Sequence, residues 1–187
     1  ISIVTGGDAG TAEGDFATSL VWSSRKGHEL PLFLIVTNNK WGISTPYDGQ
    51  HGESSIADRG KAFGIKTFVC NGNDAIESYI KTQEAMDYIR KTGKPILAEY
   101  MVSRLYGHSS ASGANFNKEE TCCIAEFEQR LLKADYITED KIKSIWADYL
   151  KESQEIAAEV RKEPGPTAES VWNHVYVGSE NADWRKF

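Results

Sequence analysis

The 187-residue sequence predicts an α/β fold, a parallel sheet with helices on both faces. Three observations predict it. Short apolar runs recur at Ile1–Val4, Leu32–Val36, Lys66–Cys70 and Ile96–Val102. Most end in a turn signal of Gly, Asn or Asp, and helical patterns separate the first from the second and the third from the fourth. Near-continuous apolar runs suit strands buried on both faces, and a helical crossover between strands makes them parallel.

The first run leads into Gly7-Asp8-Ala9-Gly10. A helix is expected just beyond, with Glu13 and Asp15 in its first turn and Phe16, Leu20 and Val21 at helical spacing. The second run ends in Asn38-Asn39. The third closes on Asn71-Gly72, and Asp74 caps a helix that carries Ile76, Tyr79, Ile80, Met86 and Ile89 on one side until Gly93-Lys94-Pro95 stops it. After the fourth run, Ser103–Asn117 is polar, rich in small residues and long for a connection inside a domain, a length that marks functional or disordered loops. Helices are expected over Lys118–Leu132 and Thr138–Glu163. In the second, Ile142, Ile145, Trp146, Tyr149, Ile156 and Val160 form an apolar stripe to pack on the sheet or on a partner. Pro164-Gly165-Pro166 ends it, and Thr167 starts a short final helix through Val175, ahead of a tail carrying Trp184. Residues 1–135 thus form the α/β core and 136–187 a helical extension of the same domain.

If the first two runs are neighbouring parallel strands, Asp8 and Asn39 emerge at one carboxyl edge, where open α/β sheets bind ligands. A carboxylate and a carboxamide are hard oxygen donors. They suit Mg²⁺, which is held by a few protein oxygens together with water and substrate phosphate, so a diphosphate is the natural ligand for this edge.

Composition excludes other classes. A net charge of −6, a pI near 5.3 and scattered Lys and Arg argue against nucleic acid as a partner, and no run approaches the ~18 apolar residues of a membrane span. Cys70 and the adjacent Cys122-Cys123 have no metal spacing and fit a reducing compartment. His28, His51 and His174 read as surface residues. The chain opens at Ile1 inside a strand expected to be buried, which leads to the expectation of a fragment of a longer protein.

Gly7-Asp8-Ala9-Gly10-Thr11-Ala12-Glu13-Gly14-Asp15 followed by Asn38-Asn39-Lys40-Trp41-Gly42-Ile43-Ser44-Thr45 resembles the thiamine diphosphate motif. With Ile56–Ile65, Asn71–Asp74 and Arg104-Leu105-Tyr106-Gly107-His108-Ser109, the first two thirds of the chain resemble the α subunit, or α half, of the decarboxylating component of pyruvate and branched-chain 2-oxo acid dehydrogenase complexes. The resemblance implies a thiamine diphosphate-binding fold truncated at its N-terminus. It implies Mg²⁺ held by the Asp8 and Asn39 side chains and the Trp41 carbonyl. Ala9 and Gly10 would lie against the diphosphate, Gly42 beside the cofactor, and His108 would be the catalytic loop histidine. Ala9 stands where the family has a second glycine, a change that fits if its φ stays negative.

By the same resemblance the reaction is decarboxylation of a 2-oxo acid with transfer of the acyl group to lipoamide. The implied partners are a β subunit or β half, which supplies the carboxylate that activates the aminopyrimidine, and a lipoyl-bearing acyltransferase. The assembly would be a hetero-oligomer, or a homodimer of a fused chain, in the bacterial cytoplasm or the mitochondrial matrix. The chain alone is expected to be inactive. Ser109, Ser110 and Ser112 offer hydroxyls where some relatives are phosphorylated, and Ser112-Gly113 and Phe116-Asn117 depart from the usual loop. That loop, Tyr106–Phe116, is expected to be disordered without cofactor. The alternatives are another thiamine diphosphate enzyme, transketolase-like or acetoin-cleaving, and a non-catalytic Mg²⁺-dependent binding or assembly module.

Overall fold

A computed structural model describes residues 1–108 and 116–173, the side chain of Trp172 excepted. The expectations for Ser109, Ser110, Ser112, Gly113, His174, Val175 and Trp184 lie outside the described residues. The chain divides into two units, Ile1–Ala134 and Asp135–Phe187.

In the first unit four strands, β1 (Ser2–Gly7), β2 (Leu32–Asn38), β3 (Lys66–Asn71) and β4 (Ile96–Met101), form one sheet in the order β1-β2-β4-β3. All three pairings are parallel, as the sequence predicts. Side chains alternate across the sheet. Leu34 and Val36 of β2 and Leu97 of β4 pack on one face with Leu20 of helix α1 (Gly14–Ser23) and with Tyr47, Ile56 and Ile65. Phe33, Ile96, Ala98 and Tyr100 pack on the other with Ala85 and Ile89 of helix α3 (Ala75–Thr92). Short helix α2 (Asp58–Ala62) lies in the β2–β3 connection.

Asp74 caps α3 by accepting the Ile76 and Glu77 N–H groups at 2.9 and 3.1 Å, and Gly93 closes it with φ +67. The face of α3 differs from expectation. Ile76, Tyr79 and Ile80 are exposed while Ala85 and Ile89 are buried, because Ile76 and Ile80 fall on the side of the helix opposite Ile89, and the stripe that meets the sheet runs through Ser78, Thr82, Ala85 and Ile89. The first apolar run also departs from expectation. β1 is an outer strand, exposed along its length, with Ile3 54% and Val4 50% exposed.

Helix α4 spans Cys123–Lys133, five residues shorter at its start than predicted. Lys118–Glu120 forms a turn instead, with Asn117 Oδ1 accepting the Glu119 N–H. In the second unit α5 spans Glu139–Val160 with Thr138 as its cap, and none of its residues is buried. The stripe that includes Ile145, Tyr149, Ile156 and Val160 stays exposed. A single 3-10 turn at Glu169–Trp172 follows Thr167. Among the described residues no helix is long and apolar enough to cross a membrane.

Candidate functional site

Because β1 and β2 run parallel and in register from Ser2–Leu32 to Gly7–Thr37, the next residue on each strand is Asp8 or Asn38, at one carboxyl edge. Asp8 is 1% exposed and leaves the strand into a 3-10 turn, Ala9–Ala12. Its carbonyl oxygen accepts from both the N–H and the hydroxyl of Thr11, at 3.0 and 2.6 Å. Its carboxylate Oδ2 is buried and has no hydrogen-bond partner. Ala9 is not among the residues with positive φ, so its methyl group sits on an ordinary backbone. Gly10 borders open space. A cleft of about 320 Å³ lies over β1 and β2 beside α1, lined by Val4, Leu34 and Val36 as well as Gly7, Gly10 and Phe16; neither Asp8 nor Asn39 lines it.

Asn38 is fully buried. Its Nδ2 donates to Glu99 Oε1 at 2.6 Å and its Oδ1 accepts the Lys40 N–H at 2.9 Å. Lys40 takes the left-handed conformation, φ +65. Asn39 is only partly buried, and its Oδ1 accepts the Trp41 N–H at 2.9 Å. The chain then doubles back: Gly42 N–H donates to the Thr45 carbonyl and Tyr47 N–H to the Lys40 carbonyl. A methyl group on Gly42 would stand 3.3 Å from the Ala9 Cβ and 2.5 Å from Gln50 Nε2. The two turns that carry Asp8 and Asn39 therefore lie close together at Gly42 and Ala9, and a side chain at position 42 would first displace the Gln50 amide.

Charged side chains brace the Asp8 turn. The Arg59 guanidinium donates to the Thr11 carbonyl and pairs with Glu53, and it lies 3.2 Å from His51 Nδ1. Burial acts to raise the Glu53 carboxyl, but its own backbone N–H and the Arg59 charge outweigh that and hold it below the usual carboxylate range. His51, expected on the surface, is buried. Its ring packs on Tyr47 at 4.5 Å between centroids, and its Nε2 has no partner. Burial, with Glu53 and Glu99 nearby, pushes the Tyr47 phenol up to about 12.

His108 follows β4 and is exposed. Its segment begins at Ser103, whose N–H donates to Asn73 Oδ1 and whose Oγ accepts from Asn73 Nδ2. Arg104 donates to the carbonyls of Gly42 and Ile43, and the Tyr106 ring packs on Phe116. A cleft of about 340 Å³ opens between Trp41, Ile43, Arg104, Tyr106, Gly107 and Glu120, so the Trp41 turn and the segment up to Gly107 face one cleft, with His108 next in sequence but not in its lining.

Among the described residues no three His, Cys, Asp or Glu side chains gather as a metal site. The available donors are hard oxygens: the orphaned Asp8 Oδ2, the second lone pair of Asn39 Oδ1 and the Trp41 carbonyl. That set fits Mg²⁺. The sequence assigns no role to Glu99, Gln50 or Arg59 and reads His51 as a surface residue, although Glu99 gives a signal. A carboxylate inside an apolar strand covered on both faces is rare without buried partners.

Comparison of the sequence with known proteins finds relatives. Residues 1–169 match the family described as dehydrogenase E1 component. The chain is 30% identical over 178 residues, 91% of its length, to a protein of Acholeplasma laidlawii named pyruvate dehydrogenase E1 component subunit alpha, of which it covers 48%. It is 30% identical over 184 residues, 94% of its length, to a protein of Bacillus subtilis (strain 168) named 2-oxoisovalerate dehydrogenase subunit alpha, of which it covers 55%. To an Arabidopsis thaliana protein named 2-oxoisovalerate dehydrogenase subunit alpha 2, mitochondrial, it is 37% identical over 106 residues, 57% of the chain and 22% of the relative. The chain spans about half the length of the first two.

Proposed function

The chain belongs to the dehydrogenase E1 component family, and on that premise we propose that it is the part of an E1 α subunit, or of the α half of a fused chain, that grips Mg²⁺ and the diphosphate of thiamine diphosphate. The observation that carries this reading is the Asp8 carboxylate, buried with one oxygen unpartnered at the edge where the Asn39 turn also ends. A buried carboxylate oxygen with no donor is costly in free energy. A divalent cation removes that cost and becomes the largest local charge.

Asp8, Asn39 and the Trp41 carbonyl would hold the metal, while Ala9 and Gly10 present backbone to the diphosphate and Gly42 leaves room beside it. When bound, thiamine diphosphate supplies the electron sink for loss of carbon dioxide from a 2-oxo acid. His108 would hold or release a proton at an oxygen of the reacting group, a task suited to imidazole near neutral pH. Trp41, Ile43 and Tyr106 line the open cleft beside the segment that leads to His108. A β subunit or half would contribute the carboxylate facing the aminopyrimidine, and a lipoyl-bearing acyltransferase would receive the acyl group. Relatives named for pyruvate and for 2-oxoisovalerate both match, so the substrate is proposed as a 2-oxo acid.

Isothermal calorimetry with thiamine diphosphate and Mg²⁺, on the chain alone and with a β partner, tests this. Heat only with the partner is expected, since the site is then interfacial. Absence of heat in both arms, or heat unchanged by Asp8→Ala, overturns the reading.

A further inference from the structure

Glu99 lies near the middle of β4, a strand covered on both faces, and is 1% exposed. Its three partners are donors, none of them a cation: Asn38 Nδ2 at 2.6 Å on Oε1, and Ser55 Oγ at 2.6 Å and Ala57 N–H at 3.0 Å on Oε2. An ionised carboxylate only accepts hydrogen bonds, so every group that faces it must donate. Asn38 has one amide with two unlike ends. With its NH₂ turned to Glu99, its oxygen is turned to the other side, where it accepts the Lys40 N–H. The reverse orientation would set oxygen against carboxylate and NH₂ against N–H. The geometry therefore fixes the amide on both sides.

Lys40 is where this polarity reaches the backbone. A non-glycine residue at φ +65 is strained, and the bond from its N–H to Asn38 Oδ1 offsets that strain as a local side-chain turn. Lys40 joins Asn39 to Trp41, and its carbonyl accepts the Tyr47 N–H that folds the loop back. We infer that Glu99 is a positioning residue for the cation-binding turn. Its acceptor-only carboxylate sets the direction of the Asn38 amide, and through Asn38 it holds the backbone of residues 39–41 that presents the Asn39 side chain and the Trp41 carbonyl. This rests on the cation site proposed above and adds the group that orients it.

The test inverts the polarity and then restores it. In Glu99→Gln the new amide must keep its oxygen toward Ser55 and Ala57, so its NH₂ confronts the Asn38 NH₂. Asn38 must turn, and the Lys40 N–H loses its acceptor. In the double variant Asn38→Asp/Glu99→Gln a carboxylate at position 38 accepts from both the new amide and the Lys40 N–H, with the number of buried charges unchanged. Two readouts apply to the full-length protein in complex with its β partner: hydrogen exchange at the Lys40 and Trp41 amides, and Mn²⁺ affinity by electron paramagnetic resonance with thiamine diphosphate present.

Glu99→Gln is expected to speed exchange and weaken Mn²⁺ binding by about tenfold each, the scale of one buried hydrogen bond, with both restored in the double variant. Unchanged exchange and affinity in Glu99→Gln overturn the inference. So does a double variant no better than the single one, which is the result of a merely structural role. If Glu99→Gln does not fold, the double variant must still fold and bind Mn²⁺, and its failure overturns the inference too. Wild-type protein that takes up no Mn²⁺ refutes the cation site itself, and with it the functional role of Glu99. Amide exchange at Lys40 then shows separately whether the polarity relay operates.

Discussion

The Arg104 guanidinium bridges two loops of the sheet's carboxyl edge, its Nη1 2.7 Å from the Gly42 carbonyl oxygen and its Nη2 3.2 Å from that of Ile43. Its Nε donates to the Tyr106 carbonyl at 3.1 Å. One side chain thus ties the turn after β2 to the segment that carries His108. All three bonds are charge-assisted, and the two to Gly42 and Ile43 span 62 and 61 residues of sequence, so they act on tertiary arrangement, while the one to Tyr106 is local.

Replacing Arg104 by Met keeps much of the apolar stem and removes all three bonds. Stability is expected to fall by about 1–3 kcal/mol. Hydrogen exchange should rise in both 42–44 and 104–108. A rise confined to 104–108 would show that the two loops are held together by something else.

Asp8→Asn separates the cost of the buried carboxylate from its use. Without metal the variant is expected to melt at or above the wild-type temperature, because a buried charge with an unpartnered oxygen is replaced by a neutral amide. The stabilisation that Mg²⁺ with thiamine diphosphate gives to the wild type in complex with its β partner should disappear. Differential scanning calorimetry of both proteins in that complex, with and without ligand, reads the two effects. A variant that melts well below wild type without metal would mean that Asp8 Oδ2 already has a partner.

Tyr47→Phe removes a buried hydroxyl that has no hydrogen-bond partner. At pH 7 the change is expected to be neutral or stabilising by up to about 1 kcal/mol, since the desolvated group contributes no bond. At alkaline pH the sign is set by linkage. The folded phenol is pushed up to about 12, above its ordinary 10.0, so between those values the unfolded chain has lost the proton that the fold retains. The contribution of the phenol is fully present below pH 10.0 and is lost as pH rises toward 12. Urea titrations from pH 9 upward should show wild-type stability falling more steeply than that of Tyr47→Phe.

Thiol labelling should rank the cysteines. Cys70 is buried on β3, and burial raises its thiol to about 11, so little reactive thiolate exists at neutral pH. Cys123 is exposed and Cys122 partly so. Under native conditions a disulfide reagent at pH 8 should modify Cys123 first and Cys70 only on a timescale set by unfolding. Early labelling of Cys70 would mean that β3 opens locally.

The sequence by itself determined the four strands and the helices α1, α3, α4 and α5 in chain order, the parallel sheet, the Asp74 cap of α3 and the emergence of Asp8 and Asn39 at one edge, but not α2. Each is a local pattern whose consequence is fixed by strand and helix periodicity and by the parallel geometry a crossover imposes. Only the tertiary structure decided that β1 lies at the outside of the sheet, that Asn38 is committed to Glu99 and Lys40 while Asn39 stays partly open, and that His51 and Arg59 stand behind the Asp8 turn. Those facts depend on which distant residues meet. Hydrogen-bond polarity passes between strands through side chains far apart in the chain, such as Glu99 and Asn38, and periodicity within one segment carries no trace of it.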